Sequence, residues 1–444
     1  MNETAYYTLT ALQAADDIRE GLITSEELVA ACLARIAAVD DDIEAWAYLD
    51  AEYALAEARA RDAHRRRGGV LGPLHGVPVA VKDNIDTEEF PTAYGSPLYA
   101  GRRSGEDAHV VALLRAAGAV IVGKTVTTEF AVFHPGKTRN PLNPAHTPGG
   151  SSSGSAAAVA SLMCPLAVGT QTNGSVVRPA SFCGVVGFKP SFGWASRRGV
   201  LKGSLEFDTV GVFARSVEDA ALIGEVMMAF DARETSTRPR TAPPLLATAR
   251  EDPPVVPRLA FVKTSQWGKA DAAVHEGFAE LVDALGDRVE EVELPGIFDN
   301  VHGWHKAMME ADLALNFAKE YERSADRLSP VLRRMIEAGR GVPAVAYNFA
   351  RDKKEILCAI LDKIFEDYDV ILTPAVVGEA PPTLVNTGDP AFCTIWTFCG
   401  VPTVSLPILQ GESGLPVGVQ LVGAKDDDAR LLRTARWLMD AAKE

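Results

Sequence analysis

The stretch GTQTNGSVVRPASFCGVVGFKP, Gly169 to Pro190, runs from an apolar segment into small and polar residues. The apolar part PLAVGT, residues 165–170, predicts a strand, and residues 172–175, TNGS, follow it directly. Small residues before a serine let consecutive backbone N–H groups converge on one point, as an oxyanion hole requires. Ser175 is therefore a candidate nucleophile, although the stretch alone also fits a serine in a tight turn.

A serine nucleophile needs a base, and this stretch contains no histidine. The segment GVPVAVKDNIDT, residues 76–87, offers a lysine instead, because it places Lys82 at the end of an apolar strand. Desolvation there lowers the pKa of a lysine and lets the neutral amine accept a proton. A Ser-His-Asp triad stays open as the alternative, with no motif that favours any one of His75, His109, His134 and His146.

A third segment, PGGSSSGSAAAVA at residues 148–160, matches the G-x-S-x-G elbow of α/β-hydrolases. The elbow needs an apolar strand directly before it, whereas residues 140–150 are rich in proline and turn formers. We therefore expect a loop that presents hydroxyls and amides at the start of a helix over residues 155–163.

The stretch GAVIVGKT, residues 118–125, fits the phosphate-loop pattern G-x-x-x-x-G-K-T. Its variable positions, residues 119–122, have the composition of a buried strand, whereas a phosphate loop needs a glycine-rich turn after a strand. We interpret it as a core strand followed by Lys124, and not as a nucleotide site.

Four segments follow from periodicity and composition. Residues 1–70 predict a helical N-terminal layer, and residues 71–230 alternate β-rich and helical patterns typical of an α/β core. Residues 231–257 contain six prolines and predict a surface connection. Residues 258–444 predict a C-terminal α/β part that completes the sheet and the substrate pocket, and we expect one compact catalytic domain overall.

Composition excludes several classes of partner. The formal net charge of -15 repels nucleic-acid phosphates and anionic membranes. No apolar stretch has the roughly 18 residues of a membrane span, and the N-terminus lacks a basic leader, so we expect a cytoplasmic protein. Six scattered cysteines without a C-x-x-C pair predict reduced thiols, and the closest histidines, His302 and His305, lack further ligands for a metal.

Taken together, residues 76–87, 147–160 and 169–191 resemble the amidase signature family. Ser151 lies 69 residues after Lys82, and Ser175 lies 24 residues after Ser151, as in that family. The similarity is dense from about residue 71 to 219 and recurs in CGVPTVSLPI and GLPVGVQLVGA. The resemblance implies an α/β amidase signature fold, a mixed twisted β-sheet covered by helices on both faces.

The resemblance also implies a Ser–cis-Ser–Lys triad that needs no cofactor. Ser175 would attack the acyl carbon, Ser151 would relay its proton, and neutral Lys82 would be the base. The Gly150–Ser151 peptide would be cis, and Ser152 would help to hold Lys82. The oxyanion would bind the backbone N–H groups of Thr172, Asn173, Gly174 and Ser175.

Two departures from the common family form, D-T-G-G-S-I-R, affect this loop. Gln171 replaces the Asp and Asn173 the first Gly, and we expect Asn173 to keep the loop because asparagine tolerates a left-handed backbone. The arginine comes one place later, at Arg178, which resembles the malonamidase branch, where the equivalent residue binds a substrate carboxylate. A structural ion pair is the other interpretation of Arg178.

The expected activity is hydrolysis of aryl or alkyl amides through an acyl-enzyme, with carbamate cleavage as the alternative. A glutaminase subunit of a tRNA-dependent amidotransferase is disfavoured because those subunits resemble the D-T-G-G-S-I-R form. A homodimer stays open, because one chain does not fix the oligomeric state. Candidates for an apolar pocket, each of which also fits a core position, are Trp304, Met308, Met309, Leu313, Phe317, Trp396 and Phe398.

Overall fold

Eleven strands form one mixed sheet through the middle of the part of the chain that the computed structural model describes, residues 5–442. The strands are β1 (Trp46–Leu49), β2 (Pro78–Lys82), β3 (Val120–Thr125), β4 (Leu166–Gln171), β5 (Val186–Lys189), β6 (Thr209–Ala214), β7 (Leu259–Phe261), β8 (Val289–Glu291), β9 (Val370–Pro374), β10 (Thr403–Gln410) and β11 (Pro416–Val422).

Fifteen α-helices accompany the sheet between residues 5 and 442. They are α1 (Ala11–Glu20), α2 (Ser25–Ile43), α3 (Ala51–Arg66), α4 (His109–Ala116), α5 (Ser153–Ala160), α6 (Val177–Cys183), α7 (Val217–Met227), α8 (Leu245–Arg250), α9 (Ala272–Leu285), α10 (Val301–Asn316), α11 (Ala318–Ser324), α12 (Pro330–Arg340), α13 (Ala344–Asp367), α14 (Thr394–Cys399) and α15 (Asp428–Ala441). None of these helices has both the length and the apolar character needed to cross a membrane.

The strand order is β1-β3-β2-β4-β6-β5-β10-β11-β9-β7-β8. Parallel pairs join β3, β2 and β4 on one side and β9, β7 and β8 on the other, and antiparallel pairs join the remaining neighbours. Because β2 and β4 are parallel neighbours, the residues at their carboxyl ends lie side by side. This pairing brings Lys82 next to the end of β4.

Alternate residues of the central strands pack into different apolar clusters on opposite faces of the sheet. Val79 and Val81 of β2 belong to one cluster, which continues to Leu372 of β9, whereas Ala80 belongs to another. On the second face, one cluster includes residues of α2 and α5, and a separate cluster includes residues of α10, α12, α13 and α14. The mixed sheet covered by helices on both faces is the expected architecture.

The structure refines three local expectations. The N-terminal helical layer contains β1, which pairs with β3 and extends the sheet. The proline-rich segment 231–257 contains α8, because Leu245 and Ala249 bury their side chains in the main apolar cluster. The stretch that resembled a phosphate loop is β3, with all six residues buried, so its amides belong to the sheet and not to an anion site.

Two buried carboxylates accept hydrogen bonds from the N–H groups that begin α1 and α2, and so hold the N-terminal layer in place. Asp219 of α7 is fully buried and accepts hydrogen bonds from the N–H groups of Ala11 and Leu12, both at 3.0 Å. Asp62 of α3 accepts in the same way from the first N–H groups of α2. These donors have no partner within their own helices, so the carboxylates satisfy groups that would otherwise be buried without acceptors.

We expect Asp219→Ala to lower the free energy of unfolding by about 2–4 kcal/mol, because one buried and one partly buried N–H group lose their acceptor. Asp16→Ala is the matched control, since Asp16 forms an exposed ion pair with Arg19 and should change stability by less than about 0.5 kcal/mol. Denaturant unfolding followed by circular dichroism measures both variants. Equal stability of the two would contradict the assigned role of Asp219.

Candidate active site

Lys82 ends β2 and lies completely buried beside Ser151. Its Nζ lies 2.7 Å from Ser151 Oγ and 2.8 Å from Thr170 Oγ1 at the end of β4. Burial lowers the pKa of the Lys82 ammonium well below its ordinary value. This shift favours the neutral form of the amine, which accepting a proton from Ser151 would require.

Ser151 lies in the loop between residues 147 and 152, directly before α5. The Gly150–Ser151 peptide is cis, and the Ser151 carbonyl accepts a hydrogen bond from the Thr128 N–H at 3.2 Å. A Cβ atom on Gly150 would lie 2.9 Å from Thr387 Cγ2 and 3.0 Å from Thr128 Cγ2. The close packing of these two threonines explains why glycine precedes Ser151.

Thr170 connects Lys82 with two other polar residues, Asn84 and Ser152. Its hydroxyl contacts Lys82 Nζ and accepts a hydrogen bond from Asn84 Nδ2 at 2.9 Å. Ser152 Oγ donates to the Thr170 carbonyl at 3.1 Å and accepts from the Thr170 N–H at 3.2 Å. Ser152, expected to help hold Lys82, thus bonds to the backbone of the residue that contacts the lysine.

Ser175 lies in the loop between β4 and α6 and lines a cavity that opens to solvent. Within residues 5–442, its hydroxyl makes no hydrogen bond, and the N–H groups of Asn173, Gly174 and Ser175 have no acceptor. A hydroxyl beside consecutive unpaired donors fits a nucleophile next to an oxyanion site. Thr172, the fourth expected donor, also lines this cavity.

Gln171 shapes this loop. Its Oε1 accepts hydrogen bonds from the N–H groups of Val176 and Val177, at 2.8 and 3.1 Å, and so satisfies donors at the start of α6. Asn173 is not among the described residues with positive φ, so, contrary to the expectation from the sequence, its place in the loop does not depend on tolerance of a left-handed backbone. Gly174 is needed for packing, because a Cβ there would lie 3.0 Å from Cys393 Sγ.

Apolar side chains form much of the cavity wall, and all of those named below except Val200 belong to the cluster of α10, α12, α13 and α14. They include Phe130, Phe133, Val200, Leu201, Met309 and Leu313. Three expected wall residues lie elsewhere: Trp396 and Phe398 are fully buried in the apolar cluster of α10 and α14, and Trp304 packs against Phe398 and Phe349. Sequence periodicity does not distinguish the two locations, because core and pocket walls both require apolar side chains.

Arg178 is buried and lines the same cavity. Its Nη2 donates to the Gly150 carbonyl at 2.7 Å and to Thr387 Oγ1 at 3.1 Å, while Nε and Nη1 have no hydrogen-bond partner. No Asp or Glu carboxylate between residues 5 and 442 forms an ion pair with it, so the structural ion pair considered above does not form. Burial lowers the pKa of Arg178 to about 10, and the guanidinium stays charged at neutral pH.

Asp208 is a charged residue at this site that no motif in the sequence indicated. Its carboxylate accepts hydrogen bonds from the Thr172 hydroxyl at 2.5 Å and from the N–H groups of Gly203 and Ser204, both at 2.8 Å. Its negative charge raises the pKa of Lys82 and so opposes the larger effect of burial. No motif marked Asp208, because its role depends on contacts between loops distant in sequence.

Comparison with known proteins agrees with this arrangement. The Amidase family model matches residues 27–432. The chain belongs to the amidase family. Members of this family are hydrolases that act on carbon–nitrogen bonds, and the contact between Lys82 and Ser151 has the geometry that a proton relay in such a hydrolase requires.

Individual family members resemble the chain over almost its whole length. A glutamyl-tRNA(Gln) amidotransferase subunit of Streptomyces avermitilis is 34% identical over 96% of this chain and 93% of its own length. A solved structure described as a vestigial protein complex that reveals the origins of an s-triazine catabolic enzyme is 29% identical, covers 97% of this chain and 98% of its own, and superposes with a TM-score of 0.91. The native peptide amidase of Stenotrophomonas maltophilia is 29% identical over 99% of this chain and 98% of its own, with a TM-score of 0.85.

We expect Ser175→Ala and Lys82→Ala each to lower the rate of amide hydrolysis by several orders of magnitude, because one removes the nucleophile and the other its base. Initial rates of amine release measure the loss, and circular dichroism checks the fold. Lys319→Ala, at an exposed lysine, is the control and should keep the wild-type rate. Wild-type rates in either triad variant would contradict the assignment.

Asp208→Asn should move the acidic limb of the pH profile of kcat/KM to lower pH. The base works as neutral Lys82, which forms above the pKa of the lysine, and removing the Asp208 charge lowers that pKa further. Glu206→Gln is the control, because Glu206 is not among the groups that shift the pKa of Lys82. An acidic limb that stays in place or moves to higher pH in Asp208→Asn would overturn this electrostatic role.

Proposed function

We propose that the protein hydrolyses small aryl or alkyl amides through an acyl-enzyme formed on Ser175, without a cofactor. The observation that carries the proposal is the contact of 2.7 Å between the buried Lys82 amine and Ser151, close to a cavity that contains a free serine hydroxyl and three unpaired N–H groups. This set supplies a base, a proton relay, a nucleophile and donors for an oxyanion.

The reaction begins when Ser175 Oγ attacks the amide carbon and its proton passes to Ser151, whose own proton passes to Lys82 Nζ. The new C–O bond turns the carbonyl oxygen into an oxyanion, which the loop N–H groups stabilise. As the C–N bond breaks, the proton returns from Lys82 through Ser151 to the leaving amine. Water then cleaves the acyl-enzyme by the same relay, releases the acid and restores the Ser175 hydroxyl.

The cavity wall favours a substrate with an apolar group. Phe130 and Phe133 lie on one segment of the wall, and Met309 and Leu313 of α10 lie on another, so aryl and alkyl groups find apolar contacts. Met309 and Leu313 are among the candidates taken from the sequence, whereas Phe130 and Phe133 take the place of Trp304, Trp396 and Phe398 in the proposed pocket. Carbamates present the same carbonyl to Ser175 and are the competing substrate class.

Arg178 supplies a second recognition element. Two of its guanidinium nitrogens are buried and unpaired beside the cavity, and such groups are costly unless a ligand provides an acceptor. We therefore assign Arg178 to a carboxylate or another acceptor on the substrate, while its Nη2 holds the Gly150 carbonyl. A planar guanidinium suits a carboxylate because it can donate two parallel hydrogen bonds.

The similarity to the amidotransferase subunit of Streptomyces avermitilis provides a second candidate, a glutaminase that works with partner subunits. We prefer hydrolysis without partner subunits for a reason in the sequence. Amidotransferase subunits resemble the D-T-G-G-S-I-R form, whereas this chain has QTNGSVVR at residues 171–178. Release of ammonia from glutamine that appears only after addition of partner subunits would favour the glutaminase.

The first experiment compares amine release from an aryl amide and from the carbamate of matched aryl group, with wild type and Ser175→Ala. Faster turnover of the amide, abolished in Ser175→Ala, is the expected result. Faster turnover of the carbamate would make the protein a urethane hydrolase, and turnover that survives in Ser175→Ala would refute the mechanism.

Arg178→Lys and Arg178→Met test the recognition element on two amides that differ by a carboxylate on the acyl group. We expect kcat/KM for the carboxylate-bearing amide to fall at least about 100-fold in Arg178→Met and less in Arg178→Lys, which keeps the charge. The neutral amide should lose less in both variants. An equal fall in kcat/KM for the two substrates would contradict the recognition role. Arg178 would then only hold the Gly150 carbonyl.

A further inference from the structure

Three consecutive carbonyl groups of the loop before Ser175 each accept a hydrogen bond from a different helix. The Thr172 carbonyl accepts from His305 Nε2 of α10 at 2.9 Å. The Asn173 carbonyl accepts from the Thr397 hydroxyl of α14. The Gly174 carbonyl accepts from the Arg178 N–H of α6 at 2.9 Å.

These bonds orient the N–H groups of the following residues. In a planar trans peptide, the C=O and N–H bonds point in opposite directions. An anchored Thr172 carbonyl therefore turns the Asn173 N–H away from His305, and an anchored Asn173 carbonyl turns the Gly174 N–H away from Thr397. Both N–H groups have no acceptor of their own within residues 5–442.

The direction of the Thr397 hydrogen bond follows from its neighbours. Gln171 Oε1 accepts two backbone N–H groups, so its Nε2 is the amide donor, and that donor lies 2.9 Å from Thr397 Oγ1. Because the Thr397 oxygen accepts from Gln171, its own proton is directed to the Asn173 carbonyl. The replacement of Asp by Gln at position 171 thus supplies the donor that a carboxylate lacks.

The direction of the His305 hydrogen bond also follows from its surroundings. It is buried, stacks on Phe207 with ring centres 4.4 Å apart, and must donate from Nε2 because its partner is a carbonyl. Burial lowers the pKa of His305 to about 4, so the ring is neutral at neutral pH and carries its proton on Nε2. This histidine therefore acts as a hydrogen-bond donor to the loop.

We infer that His305 and Thr397 are positioning residues for catalysis, which fix the peptide planes whose N–H groups bind the oxyanion formed by Ser175. This inference rests on the proposed function. It assigns part of the oxyanion site to two residues more than 100 positions from the catalytic loop, neither of which lines the cavity beside Ser175.

Thr397→Val and Thr397→Ser form one test pair, and His305→Leu and His305→Gln form the other. Valine and leucine remove the donor with little change in volume, whereas serine keeps the hydroxyl and glutamine can place an N–H near the position of Nε2. We expect kcat to fall about 10- to 100-fold in Thr397→Val and His305→Leu, with KM within about threefold of wild type. The conservative variants should recover most of the lost kcat.

Binding of an aryl trifluoromethyl ketone provides a second readout, because its adduct with Ser175 carries the oxyanion. Its inhibition constant should rise by the same factor by which kcat/KM falls. Thr394→Val is the matched control on the same helix, since the Thr394 hydroxyl contacts the Asn173 side chain and not the backbone carbonyl, and its loss should be smaller. An unchanged kcat in Thr397→Val, an effect confined to KM, or an equal loss in Thr394→Val would overturn the inference.

Two controls separate this inference from the proposed function. If wild type binds the ketone and Ser175→Ala does not, the adduct forms on Ser175, independently of which amide is the substrate. If that binding persists, the proposed nucleophile is wrong, and if it is lost while Thr397→Val and His305→Leu bind normally, only the positioning role fails. A variant that loses its native circular dichroism is replaced by Thr397→Ala or His305→Ala, which remove the same donors.

Discussion

The site depends on a lysine amine buried without a carboxylate in direct contact. The Lys82 amine contacts the hydroxyl groups of Ser151 and Thr170. The lysine ends β2, which lies between its parallel neighbours β3 and β4 in the interior of the protein. An ammonium ion there would be poorly solvated, so burial favours the neutral amine. In the proposed mechanism the lysine acts through Ser151, whose hydroxyl lies 2.7 Å from Nζ and would carry the proton to and from the substrate.

Two kinds of polar contact surround that lysine and have different effects. Thr170 contacts the amine directly, and Asn84 and Ser152 hold Thr170 through neutral hydrogen bonds that add no charge beside the lysine. Asp208 acts at longer range and favours the charged amine, while its carboxylate also holds Thr172. The pKa of the base is therefore a balance between burial and one carboxylate, and the same carboxylate connects that balance to the oxyanion loop.

Much of the fold and the central residues of the candidate site could be predicted from the sequence. Lys82, Ser151 and Ser175 lie in segments with distinct local patterns, and the family resemblance supplied their order and spacing. The anchors His305 and Thr397 and the carboxylate Asp208 could not be found in this way, because each acts through a contact between distant segments. Of the two positions that the sequence left open for Trp396 and Phe398, the structure has the core one, and the sequence could not decide between them because Phe130, which lines the cavity, belongs to the same apolar cluster.

The sheet order has a consequence for synthesis of the enzyme on the ribosome. β5, which follows the nucleophile by eleven residues, pairs with β10, and α14 with Thr397 directly precedes that strand. A growing chain therefore carries its serine and its lysine for more than two hundred residues of synthesis before the segment that sets the oxyanion loop emerges. Thr397, the proposed anchor of the loop, is thus made long after Ser175, so an incomplete chain would contain the proposed nucleophile before the donor proposed to hold its loop.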